Sequence, residues 1–310
     1  MTKLRWPLVA AVVFTNLTGS ALAIELGDPA PPLKIKEWVK GKPVDFEAGK
    51  DKNVYVLEFW ATWCAPCWES ARHLTAVQKK FKDRGVVIVG ISDEPVDKIK
   101  PYVEKIGDKM GYIVAADDGK ATYKTYMTGF NIESIPTAFV IDKSGTIVWQ
   151  GHPMSNLERV LEEVLTGTYD IVVAQQAEKA RRLIPDYFKL AVEGKDAKKA
   201  GNLGSKIVKL GALNAGLMNE LAWRILTQPG IDNRDLDLAM KAAKAAYDGC
   251  EGKDAAIVDT YARALFDTGK KAEAIEYQKK AIKMSENEQM RKALKETLDG
   301  YEQEAAKGDR

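Results

Sequence analysis

Cys64 and Cys67, in Trp63-Cys64-Ala65-Pro66-Cys67, are the residues of this 310-residue chain whose type and spacing make chemistry possible. A C-x-x-C pair closes a small disulfide that a thiolate can open again, and the thiolate rather than the thiol is the attacking species. Pro66 fixes φ and suits the first turn of a helix. Ahead of the pair, Val54-Tyr55-Val56-Leu57-Glu58-Phe59-Trp60 reads as a strand. Behind it, Ala71, Leu74, Val77 and Phe81 recur at helical spacing. This context puts Cys64 at a helix N-terminus, where unpaired N–H groups and the helix dipole favour negative charge. Cys64 is the candidate nucleophile. Cys67, one turn further in and predicted to be the more buried, would resolve the mixed disulfide. Ala65 and Pro66 place no charged side chain between them, so helix and backbone should dominate the tuning of Cys64.

Other uses of the pair fare worse. A zinc knuckle needs more ligands than two thiolates. The third cysteine, Cys250, lies 183 residues beyond Cys67, and the two histidines are His73 and His152. No metal or other cofactor is called for. A purely structural bridge closing so short a loop constrains the unfolded chain little. Cys250, in Asp248-Gly249-Cys250-Glu251-Gly252, reads as a spectator thiol in a turn between helices, with pairing between chains as the alternative.

The elements that must hold the pair follow along the chain. Residues 1–23 carry Lys3 and Arg5, an apolar run from Trp6 to Phe14, and Ala21-Leu22-Ala23 at their end. That is the pattern of an export signal cleaved after Ala23; an uncleaved N-terminal membrane anchor is the alternative. Without those residues the 46 basic side chains fall to 44, against 44 acidic ones, so nothing recommends nucleic acid or an anionic membrane as partner. The expected location is periplasmic or otherwise extracytoplasmic, where disulfides persist.

Residues 36–46 suggest an edge hairpin around Gly41-Lys42-Pro43. Strands are predicted over 54–59, 86–92, 112–115, 138–142 and 146–150. Helices are predicted from the C-x-x-C to about Lys82, within 93–107, over 121–127, and from a Ser155/Glu158 capping box to near Gly167. The sum is an α/β domain with a mixed sheet flanked by helices, over 24–168. From Tyr169 to residue 310 the pattern is helical throughout. Ala239 and Ala246 recur 35 residues later as Ala274 and Ala281, the mark of paired-helix repeats; a plain bundle is the alternative. Phe188 to Leu210, broken around Gly194, reads as a third, degenerate pair.

Glu58-Phe59-Trp60-Ala61-Thr62-Trp63-Cys64-Ala65-Pro66-Cys67, with Ser134-Ile135-Pro136-Thr137 further on, resembles the thioredoxin superfamily. More narrowly, it is similar to exported redoxins of the TlpA/ResA type, a likeness that also draws on Gly27-Asp28-Pro29-Ala30-Pro31 and covers about residues 25–167. The resemblance implies a cis bond before Pro136, with the backbone of Ile135 pairing with an incoming substrate strand. It implies that Glu58 is the buried acid handling the proton of the resolving cysteine, and burial in an apolar strand should raise its pKa. The alternative for Glu58 is a solvent-facing strand end. Trp63 would shield the thiol and, with Ala65 and Pro66, line the docking surface, whereas Trp60 and Trp68 read as packing. Many relatives kink the first helix with a proline where this chain has Arg72. The second half resembles tetratricopeptide repeats through pairs such as Tyr261-Ala262, Ala274 and Ala281.

The reading is an exported thiol–disulfide oxidoreductase acting on protein thiols or disulfides, by resemblance a reductase supplied by a membrane electron donor. Its helical domain would recruit a protein partner. The alternative is an extracytoplasmic scaffold or redox sensor with the redoxin domain as a docking module. Peroxidase chemistry lacks its proline before the cysteine, and copper delivery uses a wider cysteine spacing with a distant histidine; His152 reads as a loop residue.

Overall fold

Two largely apolar runs, 54–59 (interrupted by Glu58) and 86–92, form adjacent parallel strands at the middle of a six-stranded sheet, because side chains covered on both faces leave no alternation. The structure, a computed structural model, describes residues 24–194 and 196–308; the export-signal segment lies outside them. The chain divides into two compact units. One runs to Ile147 and includes Gly151–Ser155, and the other holds Val148–Gln150 and Asn156–Arg310.

In chain order the sheet strands are β1 (Ile35–Lys40), β2 (Val54–Phe59), β3 (Val86–Ser92), β4 (Ile113–Asp117), β5 (Thr137–Ile141) and β6 (Ile147–Gly151). Their spatial order is β1-β4-β3-β2-β5-β6, with β2/β3 and β3/β4 parallel and β1/β4 and β2/β5 antiparallel. Helices α1 (Ala65–Phe81) and α2 (Val96–Ile106) and a three-residue turn α3 (Ala121–Tyr123) continued as a π-turn complete the first unit, while α4 (Leu157–Thr166) belongs to the second. One face of β2 is packed by aromatics: Phe59 meets Tyr123, Tyr126 and Phe139 within about 6 Å between ring centres. Glu58, the next residue back, therefore points to the opposite face.

The hairpin expected over 36–46 does not form. β1 pairs with β4, Ile35 opposite Asp117 and Lys40 opposite Val114, and the chain after Gly41 enters turns without a return strand. Gly41 has φ +83°, and a Cβ there would sit 2.9 Å from Ile113 Cγ1, so the turn signal marks a close crossing over β4.

The second unit is helical and, among the described residues, has no strand beyond its share of β6. Helices α5 (Ile171–Arg181), α6 (Ile184–Glu193), α7 (Ala197–Gly211), α8 (Ala215–Thr227), α9 (Leu236–Gly249), α10 (Ala255–Asp267), α11 (Lys271–Met284) and α12 (Glu288–Gly308) follow in order. Asp170, Asp196, Asn214, Asp235 and Asp254 each cap a helix by accepting backbone N–H bonds. Gly194, φ +64°, separates α6 from α7. Ala239, Ala246, Ala274 and Ala281 are all fully buried, on α9 and α11. Gly204 on α7 is a true close approach: a Cβ there would meet Leu238 Cδ2 of α9 at 2.3 Å.

Candidate active site

The sheet delivers the pair to the end of β2, and α1 begins there with Cys64 as its N-cap residue in an extended conformation and Pro66 in its first turn. Cys64 and Cys67 are joined by a disulfide, with 5.3 Å between their Cα atoms. Both sulfur-bearing residues are 3% exposed, so the expectation that Cys67 would be the more buried fails in this oxidised form. The cause lies opposite the helix. Ile135–Pro136 is a cis peptide, and the Ile135 carbonyl oxygen comes within 3.9 Å of Cys64 Sγ. Thr137 Oγ1 donates to the Ser134 carbonyl (2.8 Å) and closes that loop.

Around the covered sulfur the surface is open. Trp63 is 72% exposed, and Ala65 and Pro66 are exposed beside it. Trp60 is buried as packing. Trp68 is not: it remains partly exposed on α1, with its ring edge against Tyr102 of α2. Tyr102 also meets Trp60 at 5.6 Å, so the three rings bridge the first turns of α1 to the end of β2.

Thr62, two residues before Cys64, is gripped twice. Its N–H (2.6 Å) and its hydroxyl (2.9 Å) both donate to the carboxylate of Glu94, which follows β3. Sequence reasoning misses Glu94; an acid set directly after a buried strand and before Pro95 is the signal that could have found it.

Glu58 is fully buried, which removes the solvent-facing alternative. Desolvation pushes its carboxyl up to about 8, opposed by a hydrogen bond from the Tyr112 hydroxyl to Oε2 (2.8 Å). Oε1 has no hydrogen-bond partner among the described residues. Trp60, two residues on from Glu58 and just past β2, shares the carboxyl's face, and its ring contact with Tyr102 identifies this as the face covered by α1 and α2. Ser70 on α1, one turn beyond Cys67, is also buried, its hydroxyl without a partner among the described residues.

Of the residues singled out from sequence, Cys64, Cys67, Ile135 and Pro136 come together at the bridge, with Trp63, Ala65 and Pro66 exposed beside them. Glu58 is buried within β2. His152 is in a turn, its Nδ1 accepting the Met154 N–H. Cys250, a free thiol, is the C-cap of α9, its Sγ 3.4 Å from the Tyr247 carbonyl oxygen. Arg72 lies in α1, which runs unbroken for 17 residues.

Residues 26–150 match the family model described as the AhpC/TSA family. The thiol-disulfide oxidoreductase ResA of Bacillus thuringiensis (strain Al Hakam) is 33% identical over 147 residues, 46% of this chain and 80% of that protein. Protein FixW of Rhizobium leguminosarum is 27% identical over 197 residues, 57% of this chain and 87% of that protein. Among solved structures, a thioredoxin-family thiol:disulfide interchange protein from Chlorobium tepidum TLS is 31% identical. The match covers 46% of this chain and 99% of that one, with a TM-score of 0.37. With a closed C-x-x-C bridge at the head of its first helix and this degree of identity across four-fifths of a ResA protein, the chain belongs to the ResA family of thiol–disulfide oxidoreductases.

Proposed function

We propose that the chain is an extracytoplasmic reductase of protein disulfides, with residues 24–168 as its redoxin domain and the repeats of 169–310 recruiting the protein it serves. The observation that carries the reading is the pairing of a covered Cys64 sulfur with the carbonyl of Ile135 ahead of cis-Pro136, beside exposed Trp63, Ala65 and Pro66. An extended substrate segment laid along Ile135 brings its disulfide to Cys64 from that open side.

In the reduced protein, the Cys64 thiolate attacks one sulfur of the substrate disulfide. A mixed disulfide forms, and the other substrate sulfur leaves as a thiolate that takes a proton from solvent. Cys67 then gives its proton to the Glu58 carboxylate and attacks Cys64 Sγ. The Cys64–Cys67 bond forms, the bond to substrate breaks, and the second substrate thiolate departs. Two electrons have passed to the substrate, leaving the oxidised form described above. A membrane dithiol donor returns them. A carboxyl held near 8 takes up and releases a proton close to neutral pH, which suits it to proton exchange in this step.

The test is trapping. Expressed with residues 1–23, a Cys67→Ala protein should accumulate, in the extracytoplasmic fraction, a partner joined through Cys64 that dithiothreitol releases. Absence of any such adduct would remove the protein-substrate reading. Insulin-reducing activity surviving in both Cys64→Ser and Cys67→Ser proteins would remove the chemistry.

A further inference from the structure

Glu58 stands opposite Gly90 in the parallel register of β2 and β3. Glycine inside a buried strand leaves a hole, and here two rings fill it: a Cβ on Gly90 would lie 2.9 Å from Tyr112 Cε2 and 3.1 Å from Trp60 Nε1. The Tyr112 ring thus lies over the strand, and its hydroxyl reaches Glu58 Oε2 at 2.8 Å. The segment leading into Tyr112 is fastened on two sides. Thr75 of α1 donates its hydroxyl to Lys109 O and accepts the Gly111 N–H, both at 2.9 Å. Lys40 of β1 donates to Gly107 O (3.0 Å) and Met110 O (2.8 Å). Two other buried tyrosines give their hydroxyls to backbone carbonyls, Tyr126 to Pro31 and Tyr55 to Asp45, and the buried hydroxyl of Tyr301 has no partner among the described residues. Tyr112 spends its hydroxyl on a carboxyl whose second oxygen is left without a partner.

We infer that Tyr112 is a positioning residue for the redox site: its hydroxyl fixes Glu58 through Oε2 and leaves Oε1 as the atom that exchanges the proton of Cys67. This rests on Glu58 acting as the proton acceptor. A phenol in this setting gives a hydrogen bond and keeps its proton, since burial and the adjacent Glu58 raise its pKa well above 10. Donation to a carboxylate stabilises the charged form more than the neutral one, so Tyr112 offsets part of the desolvation that β2 imposes. The other elements packed here bring no charge to the carboxyl. β3 and β5 place Gly90 and Ala138 opposite it. The buried residues of α1 are Cys67, Ser70 and apolar side chains. Tyr102 of α2 acts on Tyr112 and itself feels Glu94.

The experiment uses the full-length reduced protein, mixed with excess hydroxyethyl disulfide, and follows closure of Cys64–Cys67 by tryptophan fluorescence as a function of pH. Wild type, Tyr112→Phe, Glu58→Gln and the double variant are compared. Infrared difference spectra report the protonated carboxyl of Glu58 directly, and circular dichroism checks that each variant is folded. Glu58→Gln should slow the closing step and displace its pH limb to the one set by thiol ionisation alone. Tyr112→Phe should move that limb, and the infrared titration, upward by about one pH unit, the worth of one charge-assisted hydrogen bond. In the Glu58→Gln background, Tyr112→Phe should shift nothing further. A Tyr112→Phe limb coincident with wild type, or a shift that persists without Glu58, overturns the role of Tyr112 and leaves that of Glu58 standing. A limb that Glu58→Gln leaves where wild type has it overturns both.

Discussion

Glu58 and Asp259 are carboxyls that burial pushes upward, one in each unit, and they differ in what stands beside them. Each accepts a bond from a neutral donor at 2.8 Å, Glu58 from Tyr112 and Asp259 from the Gln278 amide. Asp259, however, also feels Arg263 one turn along α10, and that attraction draws its carboxyl back toward ionisation. Gln278 donates as well to Leu294 O at 3.1 Å, so the Asp259 cluster pins α10, α11 and α12 to one another. Glu58 has no cation in reach and keeps its proton to about pH 8. Glu58 is fully buried without a cation beside it, whereas Asp259 is only half-buried and has an arginine at helical spacing.

The largest expected effect tests the stored proton. Glu58 titrates near 8 when folded, above its ordinary 4.5, so the folded state binds the extra proton between those values. The associated stability is complete below about pH 4.5 and drains away as pH rises through about 8, by on the order of 5 kcal/mol. Urea unfolding of the oxidised protein from pH 5 to 9 should show this slope in wild type and lose it in Glu58→Gln. Equal slopes would place Glu58 with Asp259 as a merely structural group.

Next is Gly90→Ala, which keeps both hydroxyl and carboxyl but sets a methyl against the Tyr112 and Trp60 rings. A loss of about 1–3 kcal/mol is expected from overpacking, together with an upward shift of the closing limb. The variant sharpens the comparison, because it disturbs geometry without removing a donor. Asp259→Asn should cost about 1 kcal/mol of stability while leaving the pH profile of disulfide closure where it was. Movement of that profile would break the contrast. Smallest is Arg263→Gln, which also gives up a 2.8 Å bridge to Asp267: about 0.5 kcal/mol in thermal unfolding, most visible at low salt.

Much of the frame was legible because its signals are local. β2 and β3 are covered on both faces, so their apolar runs needed no partner to be recognised, whereas the burial of Glu58 was implied by the family resemblance, with a solvent-facing strand end as the alternative. The heptad spacing of Ala239, Ala246, Ala274 and Ala281 likewise put them on buried helix faces. What escaped depends on encounters between distant parts of the chain. The edge of β1 is taken by β4, which no property of Gly41-Lys42-Pro43 announces. The equal burial of the two cysteines comes from the Ile135–Pro136 loop folding over Cys64. Tyr112 read as the first residue of a strand; the clue to its role was Gly90, a gap in an otherwise bulky run, which asks what fills it. Glu94 and its grip on Thr62 were equally non-local.

That grip has a consequence for how the molecule meets its substrates. With Thr62 held by both its amide and its hydroxyl, the turn presenting Trp63 is ordered before anything binds. On docking, the loss of conformational freedom falls on the arriving chain. Under the proposed docking beside Trp63, a segment still folded around its own disulfide would first have to be loosened, whereas one already extended would lose little, so a stiff lip of this kind would select by the unfoldedness of what it is offered.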